Sequence, residues 1–287
     1  MAVQPQTKAD LDKMSTVLSR ICEEDPSLQL RRETDTSESI MSGLGDTHLE
    51  VVKEKMRRKF GVDVKLETPS VPYRETISVP TKAEYKHKKQ SGGHGQYGHV
   101  FLELEPVPRG SGFEFTGKIF GGAIPKNYIP AVEKGVNEAR QEGILASYPV
   151  ADVKVTLYDG SFHSVDSSDI AFKIAGAMAL KKGLSQGQPI LLEPIMSLTI
   201  TVPEAYTGDV ISDLNTKRGR VLGMTPDNGK NIITAQAPYA ELLRYAIDLR
   251  SITQGRATFT MELDHHEEVP PHISQKVINS RKESARQ

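Results

Sequence analysis

Apolar residues in the first quarter of the chain recur with two periods, one of three to four residues and one of two. The longer period predicts a helix over 7–24 capped by Thr7, and a second helix capped by Asp46. The shorter period predicts strands over 28–32, 38–42 and 62–66. The order α-β-β-α-β matches a ferredoxin-like βαββαβ unit with little chain left for its first strand. We therefore expect a truncated first strand and a chain excised from a longer protein.

The last third of the chain shows the same succession in full. Its apolar pattern predicts a strand over 195–202, a helix capped by Thr207, two strands around the turn 225–229, a helix over 240–252 and a strand around 259–263. The turn contains Pro, Asp, Asn and Gly, which favour a hairpin. This stretch is predicted to be a second βαββαβ domain.

The middle third combines longer strands with two helices. Strands are predicted over 82–90, 100–104, 113–119, 153–157 and 190–192, and helices over 129–141 and 168–182. Domain boundaries are expected near 69–73 and 193–194, which gives domains at 1–75, 76–193 and 194–287. The predicted fold class is α+β with three domains.

Composition limits the possible functions. The 287 residues have a formal net charge of −1, so an RNA partner needs locally concentrated basic residues. The single cysteine, Cys22, allows no intrachain disulfide and no cysteine-based zinc site, which indicates a reducing compartment. No apolar run approaches the roughly 18 residues of a membrane span, so we expect no membrane partner.

Sequence motifs of common catalytic sites do not occur. The chain has no GxxxxGK[ST] phosphate loop, no HExxH, no CxxC and no GxSxG. His265 and His266 are candidate metal ligands. Adjacent residues on a strand point to opposite faces, however, so the two side chains cannot easily chelate one ion. We expect no catalytic residue, no metal site and no cofactor in this chain.

The most unusual segment joins a basic strand to an apolar one and has four glycines within seven residues, 92–98. Between 82 and 89, four lysines against one glutamate leave three excess positive charges (4 − 1). Such a mixture suits contact with RNA phosphate and sugar. The candidate residues are Lys88, Lys89, Gln90, Ser91, Gly92, Gly93, His94, Gln96 and Tyr97. Composition alone favours a plainer interpretation, a flexible glycine loop beside a solvated strand.

A second loop, 158–169, contains a histidine at its expected tip. Gly160 permits a turn, His163 lies near Ser161, and Asp166 or Ser167 is expected to cap the next helix. Ser161, His163 and Asp166 have the residue types of a hydrolytic triad. They lie within six residues of one loop, however, whereas the members of such a triad normally come from separate elements of the fold. A lone loop histidine is usually only exposed to solvent.

Several longer motifs follow one another along the chain. They are Pro-Gln-Thr-Lys-Ala-Asp at 5–10, Gly-Leu-Gly-Asp-Thr-His-Leu-Glu at 43–50, Pro-Tyr-Arg-Glu-Thr-Ile at 72–77, the loops 90–99 and 160–168, Leu-Glu-Pro-Ile-Met at 192–196, Gly-Asp-Val-Ile at 208–211, Lys-Arg-Gly at 217–219 and Leu-Arg-Ser at 249–251. In this order they resemble domains three to five of the elongation factor G family, over essentially the whole chain.

The resemblance implies two ferredoxin-like domains flanking a ribosomal-protein-like α/β domain with a left-handed βαβ crossover. It implies a monomeric, cytoplasmic, ribosome-binding part of a translation GTPase, with GTP and Mg²⁺ in a preceding domain. The tip of domain four would enter the decoding site, where tRNA and mRNA move during translocation. Tip residues would be Gln90, Gly92, Gly93 and His163, with Lys88 and Lys89 nearby. Domain five would lie on large-subunit ribosomal RNA, and domain three would relay the nucleotide state.

Other functions remain open at this point. His94 stands where an arginine is usual in the main translocase, which leaves open a second-class elongation factor G, a recycling factor or a tetracycline-resistance-type relative. A small-molecule kinase-like domain is an alternative of another class. Phosphate loops of that class open a helix, whereas residues 91–95 precede a predicted strand. A module that docks on a ribosomal protein is a third alternative.

Overall fold

The computed structural model describes residues 1–33, 36–90 and 95–284. The chain is an α+β protein with three domains, as predicted. Two compact units are formed. One contains Met1–Pro72 and Pro194–Asp264, and the other contains Tyr73–Glu193 and the segment from His265 onward.

The first domain is ferredoxin-like. Its elements are β1 (Ala2–Pro5), α1 (Lys8–Glu24), β2 (Gln29–Arg32), β3 (Ser39–Ser42), α2 (Asp46–Phe60) and β4 (Val64–Glu67). The antiparallel sheet has the order β2-β3-β1-β4, which places the first and third strands at the centre. Thr7 caps α1 and forms a capping box with Asp10, as the sequence predicted for Thr7. The predicted truncation of β1 stays a prediction, and β1 pairs with both β3 and β4.

The predicted cap of the second helix is wrong. Gly45 occupies the cap position without a side-chain hydrogen bond, and Asp46 is the first helical residue. A carboxylate in the first helical turn still interacts favourably with the positive end of the helix dipole. Gly61 ends α2 in the left-handed conformation, for which glycine has no steric cost.

The middle domain has a four-stranded sheet covered on one face by two helices. Its elements are β5 (Arg74–Ile77), β6 (Thr81–Lys89), β7 (Gln96–Pro106), β8 (Phe113–Gly117), α3 (Ile129–Glu142), β9 (Val153–Ser161), α4 (Asp169–Gln186) and the start of β10 (Pro189–Pro203). The sheet order is β6-β7-β9-β8, with β8 parallel to β9 and α3 as the crossover between them. Leu102, Val155 and Phe172 lie in the core between sheet and helices.

The last domain repeats the ferredoxin-like topology. It contains the rest of β10, α5 (Thr207–Thr216), β11 (Arg220–Asp227), β12 (Lys230–Pro238), α6 (Tyr239–Leu242), α7 (Tyr245–Thr253) and β13 (Thr258–Glu268). The sheet order β11-β12-β10-β13 is equivalent to that of the first domain. Both predicted βαββαβ domains are therefore confirmed.

Three details of this domain differ from the sequence-based expectations. Thr207 is the first residue of α5, after the cap Tyr206. The predicted helix over 240–252 is two helices, with a break at Leu243–Arg244. The predicted five-residue turn is only Asn228 and Gly229, both with positive φ, because β11 is an edge strand and tolerates Pro226.

A further helix, α8 (Pro271–Ser284), follows β13 and was not predicted. The Val269 N–H donates to the Leu191 carbonyl at 2.9 Å, and the Arg281 guanidinium lies 5.5 Å from the Tyr148 ring centre. These contacts belong to the compact unit of the middle domain, whereas the predicted division assigned 194–287 to one domain. Among the described residues, no helix is both long and apolar enough to span a bilayer.

Candidate nucleic-acid interface

The hairpin of β6 and β7 carries the first group of candidate residues. The last two paired positions of these strands are Lys88 with Tyr97 and Lys89 with Gln96. Lys88, Lys89 and Gln90 are exposed. The candidates Ser91, Gly92, Gly93 and His94 lie outside the described residues. The hairpin thus presents basic side chains at one end of the sheet.

The second group of candidates lies at the same end of the sheet. Strand β9 continues to Ser161, where Gly160 pairs with Val100 and Ser161 pairs with His99. The expected turn at Gly160 is therefore wrong, and the loop begins after Ser161. The ladder continues because β7 is long enough to supply pairing partners for both residues.

The two predicted loops are joined by backbone and side-chain hydrogen bonds. The Tyr97 N–H donates to the Asp166 carbonyl at 2.8 Å, and the Gly95 N–H donates to Asp166 Oδ1 at 3.0 Å. Ser167 Oγ donates to the Tyr97 carbonyl at 3.0 Å. Neither Asp166 nor Ser167 caps α4, because both side chains face the hairpin; Ser168 accepts the Ala171 N–H instead.

His163 is held by the loop but remains exposed. Its Nδ1 lies 3.3 Å and 3.2 Å from the backbone N–H groups of Val165 and Asp166, and 3.3 Å from Asp166 Oδ2. Two backbone N–H groups and the Asp166 carboxylate therefore all lie against Nδ1, so a hydrogen bond from this ring to a partner would use Nε2. About half of the side chain, 52%, is exposed. A positioned and half-exposed imidazole near the end of the sheet suits contact with RNA phosphate or ribose.

Ser161 does not form a hydrolytic triad with His163. Its Oγ lies 2.8 Å from the Tyr97 hydroxyl and 3.3 Å from His99 Nδ1. Tyr97 is thereby fixed between the two loops, with its ring centre 6.2 Å from that of His163. The Lys86 ammonium lies 5.4 Å from the centre of the Tyr97 ring. The arrangement combines a positioned aromatic ring with cations, which is typical of RNA-contacting surfaces.

A third loop, 118–128, also lies at this end and was missed by the sequence-based reasoning. Because β8 runs parallel to β9, with Gly117 opposite Leu157, both strands deliver their following segments to the same end. Ile124 is buried over Gly160: a Cβ on Gly160 would lie 2.4 Å from Ile124 Cδ1. This loop contains two consecutive glycines between two exposed lysines, a pattern that is visible in the sequence. Only the strand order shows that the loop lies beside the other two.

Comparisons with known proteins agree with this architecture. Consecutive segments match three family models: elongation factor G domain III over residues 1–68, domain IV over 69–188 and the elongation factor G C-terminus over 190–277. The chain belongs to the elongation factor G family. The candidate surface therefore lies at the end of domain IV.

A solved structure is similar over nearly the whole chain. The crystal structure of a protein from Thermus thermophilus matches 98% of this chain with 43% sequence identity and a TM-score of 0.86. This chain spans 42% of the length of that protein. The match includes all three domains.

Two other sequence-based candidates were a histidine metal pair and a kinase-type phosphate loop. His265 and His266 are on strand β13, and His265 Nε2 lies 2.9 Å from Glu267 Oε1. Within the described part of the chain, no cluster of three or more His, Cys, Asp or Glu side chains is arranged to hold a metal ion. The glycine loop is followed by strand β7, not by the helix that a kinase-type phosphate loop requires.

Proposed function

We propose that this chain is the ribosome-binding portion of a GTP-dependent translation elongation factor that promotes movement of tRNA and mRNA. One observation carries the proposal: in a chain of elongation factor G domains, three loops meet at one end of domain IV with exposed lysines and a positioned His163. The described residues of this surface supply hydrogen-bonding groups and cations that suit RNA, which supports a binding role.

The mechanism that we propose is steric. The end of domain IV enters the decoding site as tRNA leaves it and prevents the tRNA from returning. Lys88 and Lys89 contact phosphate, and His163 contacts the codon–anticodon backbone through Nε2. Asp166 and Tyr97 tie the described parts of the two loops together, which reduces the entropy that these parts lose on binding.

The other two domains would have roles of their own. Domain V would bind large-subunit ribosomal RNA, and domain III would relay the nucleotide state of the factor. We propose that the chain itself is not an enzyme and needs no cofactor, because GTP and Mg²⁺ would bind in another domain of the parent protein. The factor would work as a monomer in the cytoplasm. The three matched domains support the assignment to a translation elongation factor.

The first test is chemical footprinting on ribosomes before and after tRNA movement, with a factor in which this chain is joined to its GTP-binding half. The proposal expects protection of the decoding site and of the large-subunit factor-binding centre. Protection of the factor centre alone would favour a paralogue, such as a recycling or ribosomal-protection factor. Protection at neither place contradicts ribosomal function.

Two substitutions separate binding from movement. We expect His163→Ala to reduce the translocation rate far more than ribosome affinity. Lys88→Ala should weaken binding and reduce the salt dependence of log K by about one unit, the contribution of one phosphate contact. Lys154→Ala, at the opposite end of β9, is the matched control and should change neither quantity. Normal translocation by His163→Ala would contradict the role given to this residue.

A further inference from the structure

The third loop at the end of domain IV exposes a large aromatic side chain. Phe120 is 85% exposed, more than any other large hydrophobic residue that the structure describes. Gly121 and Gly122 follow it with φ of 66° and 74°, a conformation that glycine adopts without steric cost. At this exposure the ring gives up most of the free energy that its burial would contribute, and it is available to a partner.

The loop is anchored on both sides of Phe120. The Lys118 N–H donates to the Leu157 carbonyl at 2.8 Å. On the other side, Ile124 is buried, and the Tyr128 hydroxyl donates to the Ser167 carbonyl at 3.2 Å. Ser167 belongs to the loop that holds His163, so the third loop is continuous with the surface formed by the first two.

The charge around Phe120 is of one sign along the chain. Residues 115–132 contain no aspartate or glutamate, and Lys118 and Lys126 are both exposed. Nearby lysines do not favour insertion of Phe120 alone into an apolar protein pocket, because their ammonium groups would be desolvated without partners. An aromatic ring for a base and cations for phosphates are the elements of an unpaired RNA strand site.

We propose that Phe120 stacks on an unpaired base of RNA and that Lys118 and Lys126 contact the adjoining phosphates. The inference rests on the ribosomal function proposed above. It adds an RNA contact outside the glycine-rich loop 90–99 and the His163 loop 160–168. It predicts that ring stacking, and not only an apolar surface, is required at position 120.

The location of the contact is tested by crosslinking. Phe120 is replaced by the photoreactive p-benzoylphenylalanine in the factor that carries this chain, which is bound to ribosomes with tRNA and mRNA. The control carries the same group at Met178, a partly exposed position within α4. A crosslink to RNA from position 120 but not from position 178 is expected. A crosslink to a ribosomal protein alone, no crosslink from position 120, or equal RNA crosslinks from both positions overturns the inference.

The nature of the contact is tested with three substitutions. Phe120→Trp should retain ribosome affinity, whereas Phe120→Leu and Phe120→Ala should each bind about tenfold more weakly, the effect of one lost base–ring stack. Affinity of Phe120→Leu equal to that of the unsubstituted factor overturns stacking. Because Phe120 is exposed, all three variants should unfold like the unsubstituted protein, which circular dichroism checks.

Footprinting separates this inference from the proposed function. A factor without substitutions that protects neither subunit contradicts both. A factor that protects the decoding site normally when Phe120 is alanine, with unchanged affinity, contradicts the stacking inference alone.

Discussion

Each end of domain IV has a carboxylate that accepts hydrogen bonds from backbone N–H groups, but the two carboxylates are buried to very different extents. At the end where β9 begins, Glu75 is 1% exposed and accepts the N–H groups of Ile144, Leu145, Ala146 and Tyr148 at 2.6–3.1 Å. At the end where β9 finishes, Asp166 accepts the N–H of Gly95, and 31% of its side chain is exposed.

This difference in burial gives the two carboxylates different roles, one in stabilising the domain and the other in ordering a loop that faces a partner. A buried carboxylate with four charge-assisted hydrogen bonds fixes the loop 143–148, because no water can replace those bonds. A partly exposed carboxylate with one such bond orders its loop while the neighbouring His163 remains available to a partner. The domain is therefore expected to be most stable at the Glu75 end and easiest to open at the His163 end.

The largest effect is expected from Glu75→Gln. Glutamine offers one oxygen, so its amide N–H₂ would face two backbone N–H donors at a buried site. We expect the free energy of unfolding of this domain to fall by about 3 kcal/mol. Hydrogen exchange of the β9 amides measures it, because a chain of three domains need not unfold in one transition.

The matched control for this change is Glu142→Gln in the same domain. Glu142 forms an exposed ion pair with Lys181, so its substitution should change stability by less than about 0.5 kcal/mol. Equal effects of the two substitutions would show that the hydrogen bonds of Glu75 are not a distinct source of stability.

A smaller effect is expected from Gly160→Ala at the other end. A Cβ there would lie 2.4 Å from Ile124 Cδ1 and 2.5 Å from the His99 carbonyl oxygen. Because a strand carbonyl cannot move independently, we expect a loss of about 1–3 kcal/mol and a displaced third loop. Proton chemical shifts of Phe120 and Ile124 report the displacement, and hydrogen exchange of the β9 amides reports the stability.

Gly223→Ala is the control for a strand glycine. A Cβ at Gly223 meets no atom within 4 Å, so the substitution should not destabilise the protein. If Gly160→Ala is as stable as Gly223→Ala, Ile124 does not couple the third loop to β9.

The sequence predicts the elements of this structure better than the contacts between its loops. Apolar periodicity and a local capping pair suffice for α1 and for both βαββαβ domains. The role of Glu75 is not apparent from the sequence, because its partners lie 69 to 73 residues away. The helix-capping role expected for Asp166 is wrong for the same reason: its actual partner, Gly95, is 71 residues distant.

The loops of the candidate surface also differ in how far the sequence predicts them. Composition singles out the glycine-rich hairpin and the His163 loop as unusual, but only the resemblance to elongation factor G predicts an RNA-binding role for them. The location of the Phe120 loop depends on the parallel pairing of β8 with β9, which periodicity within one strand does not specify. The RNA-binding roles of the candidate residues stay predictions at both loops.

The smallest effect is expected from Asp166→Ala. The substitution removes the bond from the Gly95 N–H to Oδ1 and the contact of Oδ2 with His163 Nδ1, but it leaves the bond from the Tyr97 N–H to the Asp166 carbonyl. We expect a loss of about 1 kcal/mol that is confined to the loops, so exchange of the Gly95 amide should accelerate about fivefold while exchange of the Tyr97 amide stays unchanged. Asp166→Asn is the control, since its remaining oxygen can accept the same N–H. Equal acceleration at Gly95 and Tyr97 would mean that Asp166 supports the whole end of the domain, as Glu75 does, and would remove the contrast between the two ends.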